Sequence, residues 1–391
     1  MHMKVGRRTP ETFALIQEEA GIHVGISASL PLAGRHAAQV LQEQYTYWLE
    51  KGRFNAWGHY KREHFTLAIG GGNTVKAQYR AWLDKHSLTI DWLAHVRFFS
   101  LEESAGEPGW ESAEQSLVIN FVVPLTRKLC KRRGRRNVAR ALGLPSGADE
   151  NDIIDAAVSR LVNAINVAPV SLALESGNRR KALALARHEA QRYGDDIRLK
   201  LGESMSFHCI ISGIGKEGTL GAFSPYVAEL AIREPDALLL REASGALRIA
   251  LNRGVLTNAE RISLIVSGTH KLKALGRFEM EEATDFEQTV METPLRMLRE
   301  NRDIAEKVFI FADEQALNFD ETVFEYSERG QAVQIKAETR PGDEDNGVHI
   351  LLLHGFMGLF SFANLLIRLP SAWTVSALHR GSRAKFLEND E

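Results

Sequence analysis

A glycine-rich segment in the middle of the chain has residue types and spacing suited to chemistry. An apolar run, Cys209 to Ile211, leads into four glycines within nine residues, and Pro225 ends the segment. This pattern predicts a buried parallel strand followed by a loop whose backbone passes close to another group. Ligands bind at the carboxyl ends of strands in open α/β sheets, so this loop is the first candidate site.

A second glycine cluster has the composition of an anion-binding loop. An apolar run at 65–69 predicts a strand, and it is followed by three glycines, by Asn73 and Thr74, and by a predicted helix from about 75 to 84. Such an arrangement points unpaired backbone N–H groups and the positive end of a helix dipole at an anion. We predict phosphate binding here, although a tight turn that needs positive φ would give the same letters.

Two further groups follow predicted strands. Glu102 and Glu103 come after a strand at 96–99, and adjacent carboxylates can do acid–base work because like charges and burial raise the pKa of a carboxyl group. The alternative is a solvated strand end. Lys271 follows a predicted strand at 262–266 and a glycine, where its ammonium can hold a phosphate as a point charge. A surface lysine without a ligand is the alternative for that position.

The elements that position these groups are strands alternating with helices, which predicts an α/β fold with a doubly wound, mostly parallel sheet. With 391 residues, 44% hydrophobic and 25% charged residues and a net charge of −2, the chain is expected to be soluble and to hold more than one domain. The basic run at 127–140 lacks interleaved aromatic residues and precedes acidic ones, so we expect a solvated helix face or local ion pairs and no nucleic acid partner.

The cellular setting follows from what the sequence contains. Cys130 and Cys209 have no partner pattern, so we expect reduced thiols and a cytoplasmic protein. The N-terminal segment has no apolar core typical of a signal peptide, and the longest apolar stretch, 350–369, is too interrupted to span a membrane. No zinc spacing occurs, and we expect neither a metal nor a cofactor.

The order of these features resembles the 6-phosphogluconolactonases and the related glucosamine-6-phosphate deaminases, over residues 13–317 with an insertion near 130–165. The segments that carry the resemblance are Leu67 to Thr74, Phe99 to Glu103, Gly213 to Pro225, Arg248 to Leu251, Val266 to Lys271, Pro294 to Leu298 and Phe311 to Ala316. The resemblance implies a Rossmann-like sheet of the lactonase/sugar-isomerase type and a phosphorylated sugar or sugar lactone as ligand. The phosphate-binding residues that it implies are Gly71, Gly72, Asn73, Thr74, Lys271 and Arg248.

Departures from the family pattern affect the proton-transfer residues. Thr219 stands where the family has its catalytic histidine, and Glu217 and Glu102 stand where it has aspartates. An unassisted threonine hydroxyl cannot transfer protons as a histidine does near neutral pH. Glu217 and Glu102 are therefore the candidates for handling water and protons. Of the other histidines, His270 is a further catalytic candidate beside Lys271, whereas His208, at the start of the central strand, lies about 16 Å from the loop.

Residues 318–391 form a second predicted unit. Alternating runs at 322–326 and 332–337 predict paired antiparallel strands, and the segment from His349 to Gly358 resembles the opening of an α/β-hydrolase, which implies an oxyanion-hole loop at Gly355 and Phe356. A helix is expected from Ser361 to Arg368 and a strand from Trp373 to Leu378. No Gly-x-Ser-x-Gly elbow occurs, so this unit is expected to be an incomplete hydrolase-like segment.

The apolar residues within 349–378 predict burial against another surface. We expect the first domain, a second copy of the chain in a homodimer or a hydrolase partner to cover them.

Two functions from different classes remain. In the first, the chain hydrolyses a phosphorylated sugar lactone with the residues named above. In the second, it is a non-catalytic sugar-phosphate-binding domain that regulates or scaffolds the attached hydrolase. The histidine-to-threonine departure favours the second function, while the two acidic positions and the central glycines favour the first. Deaminase chemistry would also require the missing histidine.

Overall fold

A computed structural model provides the structure of the chain. The residues that it describes are 14–17, 21–52, 64–84, 89–106, 112–202, 206–215, 218–232, 236–241, 246–268, 271, 274–275, 286–313, 316, 320–328, 331–340, 349–352, 374–378 and 385–386. Among these, no helix is long and apolar enough to cross a membrane.

The strands and helices alternate through most of the chain. The strands are β1 (Ala14–Gln17), β2 (His23–Ser27), β3 (Phe65–Ile69), β4 (Val96–Ser100), β5 (Glu102–Ala105), β6 (Val162–Asn163), β7 (Cys209–Gly213), β8 (Ala237–Arg241), β9 (Leu247–Leu251), β10 (Ile262–Val266), β11 (Val308–Asp313), β12 (Asp320–Glu328), β13 (Gln331–Arg340), β14 (His349–Leu352), β15 (Thr374–Leu378) and β16 (Lys385–Phe386). The helices are α1 (Leu30–Tyr47), α2 (Asn73–Asp84), α3 (Asp91–His95), α4 (Ala113–Leu117), α5 (Val123–Arg133), α6 (Arg135–Ala141), α7 (Glu150–Leu161), α8 (Ala168–Glu175), α9 (Arg179–Leu201), α10 (Arg253–Thr257), α11 (Phe286–Glu292) and α12 (Arg302–Ala305). Single turns of π-helix follow α1 and α4, and 3₁₀ turns occupy Ala228–Ala231 and Pro294–Arg299.

The main sheet has eight strands in the order β1-β2-β11-β10-β7-β3-β4-β6. All neighbouring pairs are parallel except β1 with β2, which are antiparallel. This confirms the expected mostly parallel α/β sheet. From β3 the chain moves outward to β4 and β6, and from β7 it moves outward to β10 and β11 in the opposite direction. The sheet is thus doubly wound, and its switch point lies between β3 and β7.

Alternating side chains of the central strands pack against helices on the two faces of the sheet. Phe65, Leu67 and Ile69 belong to one core cluster, which includes buried residues of α1, α2 and α5 to α7. The neighbouring Ala68, together with Ile210 of β7, belongs to another cluster on the opposite face, which includes buried residues of α8 and α9. The apolar runs of these strands therefore reflect burial on both faces.

The first helices pack closely because of one small residue. A Cβ added at Gly34 of α1 would lie 2.7 Å from the carbonyl carbon of Ala77 in α2. Beside this contact, an aromatic cluster fills the core under α2, with ring centroids about 5 to 6.5 Å apart. Its members are Tyr45, Trp48, Phe65, Tyr79, Trp82, Trp92, Phe98 and Phe121.

A small antiparallel sheet, β5-β9-β8, begins directly beyond the end of β4. Leu101 connects it to the main sheet, because its N–H donates to Ile69 O and its carbonyl accepts from Leu251 N. From the sequence, Glu102 and Glu103 are expected to follow the end of a strand, and one alternative is that both side chains are solvated there. That alternative is wrong, since both residues lie in β5 and are buried.

The basic segment forms α5 and α6, separated by Gly134. Arg127 and Arg135 both contact Glu150 at the start of α7, at 3.0 and 3.8 Å. These contacts are the local ion pairs that the sequence predicts for this segment. Lys131 is exposed, as are the neighbouring arginines at 132–133 and 135–136.

The C-terminal strands form a sheet of their own in the order β12-β13-β15-β14, with β16 also on β13. β12 and β13 are antiparallel, as the alternating runs predict, and β14 is parallel to β15. Gly355, Phe356 and the predicted helix at 361–368 lie outside the described residues. The resemblance of this segment to an α/β-hydrolase stays a prediction.

Candidate functional site

The switch point of the sheet brings together the two glycine-rich loops that the sequence singles out. One follows β3 and the other follows β7, and these strands are neighbours with Ile69 paired to Ile211. Gly70 N–H donates to Ile211 O at 2.9 Å, which ties the first loop to the central strand. A crevice outside the carboxyl ends of two such strands is where open α/β sheets bind ligands.

The first loop leads directly into a helix. Gly72 has a φ of +100°, a conformation that favours glycine, and α2 begins at Asn73. The first N–H groups of α2 have no carbonyl partner within the helix, and the helix dipole makes this end positive. Gly72 and Asn73 are exposed and Thr74 is half-buried, so the loop is accessible to a solvent-borne anion.

The two loops approach each other at a glycine. A Cβ added at Gly213, the last residue of β7, would lie 2.6 Å from Thr74 Oγ1. A larger residue at this position would force the Thr74 hydroxyl out of its present place. The glycine therefore lets the Thr74 side chain lie directly against the end of β7.

The central loop is a tight turn that closes on itself. Gly215 N–H donates to Thr219 O at 2.9 Å, and a Cβ added at Gly215 would lie 2.9 Å from Thr219 Oγ1. Thr219 thus packs over the backbone of Gly215. Gly218 is held from outside, because its carbonyl accepts from Leu295 N at 2.9 Å. Glu217, within this turn, lies outside the described residues.

Glu102 lies just beyond the end of β4 and forms an ion pair with Arg248 of β9. Their side chains are 10% and 9% exposed, and Arg248 Nη1 lies 3.5 Å from Glu102 Oε2. The structure therefore brings a predicted catalytic residue and a predicted phosphate-binding residue into contact with each other. A guanidinium beside a carboxylate favours the charged form of both groups.

Glu103 faces away from Glu102, because successive side chains in a strand point to opposite faces. Its Oε1 accepts a hydrogen bond from Ser112 Oγ at 3.1 Å and another from Glu114 N at 2.8 Å. Glu103 thus anchors the start of α4. The prediction of an interacting carboxylate pair is corrected by this arrangement, since each glutamate has its own partner on its own face of β5.

Lys271 is half-buried in the loop after β10, the strand next to β7. Its N–H donates to Gly268 O at 3.1 Å, which closes a turn. Gly268 has a φ of +89°. His270, the other candidate in this loop, lies outside the described residues.

His208 precedes β7 and lies at the opposite end of the strand from the glycine loop, as the sequence predicts. Thr66 N–H donates to its Nδ1 at 3.0 Å, so that nitrogen carries no proton, and Gln44 donates to its carbonyl. The ring packs against Phe65 and Trp48. It is a core histidine with satisfied partners.

Asp313, at the carboxyl end of β11, is a buried residue near the site that sequence reasoning did not single out. It is 2% exposed, and its carboxylate contacts the loop that holds Lys271. A carboxylate directly after an entirely apolar strand, Val308 to Ala312, was the available signal. Within the described residues, no group of three histidine, cysteine or acidic side chains could hold a metal ion.

One known family is similar to the central part of the chain. Residues 148–309 match the family model of glucosamine-6-phosphate isomerases/6-phosphogluconolactonase. Among curated proteins, no sequence matches this chain.

Solved structures of low identity align with most of the chain. A 6-phosphogluconolactonase from Trypanosoma brucei is 13% identical with a TM-score of 0.49, covering 75% of this chain and 96% of its own. One from Leishmania guyanensis is 17% identical with a TM-score of 0.49 and the same coverage, 75% and 96%. One from Shewanella baltica is 16% identical with a TM-score of 0.47, covering 77% and 99%. The family match is confined to a segment: residues 148–309, which carry β7, β9 and β10, are similar to the glucosamine-6-phosphate isomerase/6-phosphogluconolactonase family.

Proposed function

We propose that this chain acts on a phosphorylated sugar, and specifically that it hydrolyses a sugar-phosphate lactone. The observation that carries the proposal is the meeting of two glycine-lined loops at the switch point of the sheet, beside the amino end of α2. The family match over residues 148–309 supports the sugar-phosphate class, because the family comprises glucosamine-6-phosphate isomerases and 6-phosphogluconolactonases.

The phosphate is proposed to bind at the amino end of α2. Gly71, Gly72, Asn73 and Thr74 supply backbone N–H groups and the Thr74 hydroxyl, all suited to phosphate oxygens. Lys271, in the loop after β10, adds a cation. Arg248 is proposed to complete the positive potential of the site, with Glu102 keeping its guanidinium in place.

The proposed reaction adds water to the lactone carbonyl. Glu217 takes a proton from the water while the water oxygen bonds to the carbonyl carbon. The bond from that carbon to the ring oxygen then breaks. The ring oxygen takes the proton that Glu217 removed from the water, which gives the open sugar acid and restores the Glu217 carboxylate. Glu102 and His270 are the further candidates for proton transfer. Efficiency is expected to be modest, because Thr219 has no basic nitrogen.

A second candidate is a sugar-phosphate-binding domain without turnover, proposed to regulate or scaffold the unit that follows it. One observation favours it: the Thr219 side chain packs against the backbone of Gly215, so it lies folded onto its own turn. The two candidates share the phosphate site and differ in whether ring opening is accelerated.

Proton NMR of the full chain with 6-phosphogluconolactone separates them. Ring opening faster than the uncatalysed background, and abolished in Glu217→Gln, would support the lactonase. The matched control is Glu175→Gln, which changes an exposed glutamate of α8. Saturable binding of 6-phosphogluconate without acceleration would support the binding domain. Neither binding nor acceleration would refute both candidates.

Lysine substitutions test the phosphate site independently of turnover. Lys271→Ala should weaken 6-phosphogluconate binding by about 1 to 3 kcal/mol, the range for a lost charged hydrogen bond. Lys131→Ala, which removes an exposed lysine of α5, is the matched control and should bind as the wild type does. Equal affinity of the two variants would remove Lys271 from the site.

A further inference from the structure

The loop that carries Lys271 is held by a buried carboxylate on the neighbouring strand. β10 and β11 are parallel with Val266 paired to Ala312, so Asp313 lies level with Ser267, the first residue of the loop. Ser267 Oγ donates to Asp313 Oδ2, and Gly268 N–H donates to Asp313 Oδ1 at 3.2 Å. Two consecutive loop residues are thus bound by one side chain.

The same carboxylate fixes a second segment. Ala316 N–H donates to Asp313 Oδ1 at 2.8 Å, so Asp313 joins the loop after β10 to the turn after β11. The carboxylate is 2% exposed. A buried carboxylate is costly unless hydrogen bonds satisfy it, and here three donors do so.

The connection from Asp313 to Lys271 runs through one residue. Gly268 donates its N–H to Asp313 and accepts the N–H of Lys271 on its carbonyl at 3.1 Å. Asp313 and Lys271 are therefore bound to the two consecutive peptide units that flank the Gly268 Cα. Gly268 has a φ of +89°, and since glycine is conformationally permissive, the hydrogen bond to Asp313 restricts a residue that would otherwise have more freedom.

We propose that Asp313 is a positioning residue that sets the backbone of Lys271 so that its ammonium reaches the phosphate of the ligand. A lysine ammonium is a point charge on a flexible stem, so where its backbone is held decides which positions the charge can occupy. Holding the loop before the ligand arrives also lowers the entropy lost on binding. This inference rests on the proposed sugar-phosphate function and adds a residue to it.

Because the proposed role of Asp313 depends on its hydrogen bonds, substitutions that keep these bonds and substitutions that remove them should differ in ligand affinity. Asp313→Asn keeps an oxygen that can accept from Gly268 and Ala316, and its amide can donate to the Ser267 hydroxyl. Affinity for 6-phosphogluconate should stay within about threefold of the wild type. Asp313→Ala removes all three acceptor contacts, and the affinity should fall about tenfold, as for the loss of one charged hydrogen bond.

Three controls separate positioning from general destabilisation. Val308→Ala truncates a buried side chain at the other end of β11 and should leave ligand affinity unchanged. Gluconate, which lacks the phosphate, should bind the wild type and Asp313→Ala equally. In a Lys271→Ala background, adding Asp313→Ala should cause no further loss, because the residue acts through Lys271. Where Asp313→Ala does not fold, Asp313→Ser replaces it, since a serine hydroxyl cannot reach all three donors.

Titration calorimetry of the full-length chain decides the matter, with wild type measured first. Selective tenfold loss of 6-phosphogluconate affinity in the alanine or serine variant, with asparagine rescue, would support the proposal. Unchanged affinity in that variant, an equal loss in Val308→Ala, or a further loss beyond Lys271→Ala would overturn it. A wild type that binds no 6-phosphogluconate would instead refute the proposed function, on which this inference depends.

Discussion

The buried pair of Glu102 and Arg248 allows a quantitative test of how a predicted catalytic carboxylate is held. We consider Glu102→Gln, Arg248→Met and the variant that carries both substitutions. Each single change removes one charge and leaves the other in a site where the wild-type side chains are about one-tenth exposed. The double variant removes both charges together.

The magnitude follows from burial and distance. Removing one member of a fully buried ion pair costs about 3 to 5 kcal/mol, because the remaining charge has lost its counterion. The nitrogen and oxygen lie 3.5 Å apart, longer than the 2.7 to 2.9 Å of a strong charged hydrogen bond, and both side chains keep some exposure. We therefore expect each single variant to lose about 2 to 3 kcal/mol of unfolding free energy.

The double variant should lose much less than the two single variants together. Replacing both charges removes the desolvation cost as well as the attraction, so its unfolding free energy should lie within about 1 kcal/mol of the wild type. The interaction energy obtained from the cycle is then about 3 kcal/mol or more. Urea unfolding of the four proteins at pH 7, followed by tryptophan fluorescence, measures each free energy.

The cycle also bears on catalysis. If Glu102 transfers protons, Glu102→Gln should slow lactone opening at a temperature where the variant is fully folded. Strict additivity of the two stability losses would refute the reasoning, since it would mean that the two charges do not stabilise each other. A double variant less stable than either single one would refute it too.

Three further predictions concern other parts of the molecule. Gly213→Ala should lower the unfolding free energy by about 2 kcal/mol, because the new Cβ would lie 2.6 Å from Thr74 Oγ1. Adding Thr74→Ala should restore most of the lost free energy, because Thr74 Cβ lies 3.9 Å from the new Cβ. Urea unfolding measures the stability of the single and the double variant. Tyr226 is 72% exposed with a φ of +63°, so Tyr226→Gly should be about 1 kcal/mol more stable than Tyr226→Ala, which keeps the Cβ that this conformation disfavours, as thermal unfolding would show. Burial, and next the charge of Arg97, lowers the pKa of His64 from 6.5 to about 4. Below pH 6.5 the unfolded chain therefore binds a proton at this histidine that the folded state does not bind, so the unfolding free energy falls as the pH falls. Relative to His64→Gln, the wild type should lose about 1 kcal/mol between pH 7 and pH 5, allowing for solvent screening of a half-buried group.

Each of these three has a contrary result. Full stability of Gly213→Ala would mean that the loops are not in close contact. Equal stability of the glycine and alanine variants at position 226 would show that the positive φ of this residue does not cost stability. Parallel pH dependence of wild type and His64→Gln would show that the histidine gains a proton equally in both states.

The strands of the core were predictable because each consists of consecutive, mostly apolar residues that become buried. The runs at 65–69 and 262–266 are mostly apolar, bounded by glycine or polar residues, and each forms a strand over the predicted span. The long helix α9 continues to Leu201, with Ile197 and Leu201 on its buried face. Local pattern is sufficient where a residue's environment depends on its neighbours in sequence.

The partners of the polar site residues were not predictable in the same way. Glu102 and Arg248 are 146 positions apart and meet only because β5 pairs with β9. Asp313 contacts Gly268 because β10 and β11 are adjacent, which depends on the strand order and not on either segment alone. Single-sequence reasoning identifies such residues by type, whereas their roles depend on pairing between distant strands.

The strand order also has a consequence for how the protein forms during synthesis. β2 ends at Ser27, yet its parallel neighbour, β11, begins only at Val308. One edge of β2 therefore stays unpaired until β11 has been synthesised and has left the ribosome. Pairings of such long sequence separation are slow, and an unpaired apolar strand is open to aggregation in the interval. Expression yield should consequently depend on translation speed and chaperone supply more than the stability of the finished sheet would suggest.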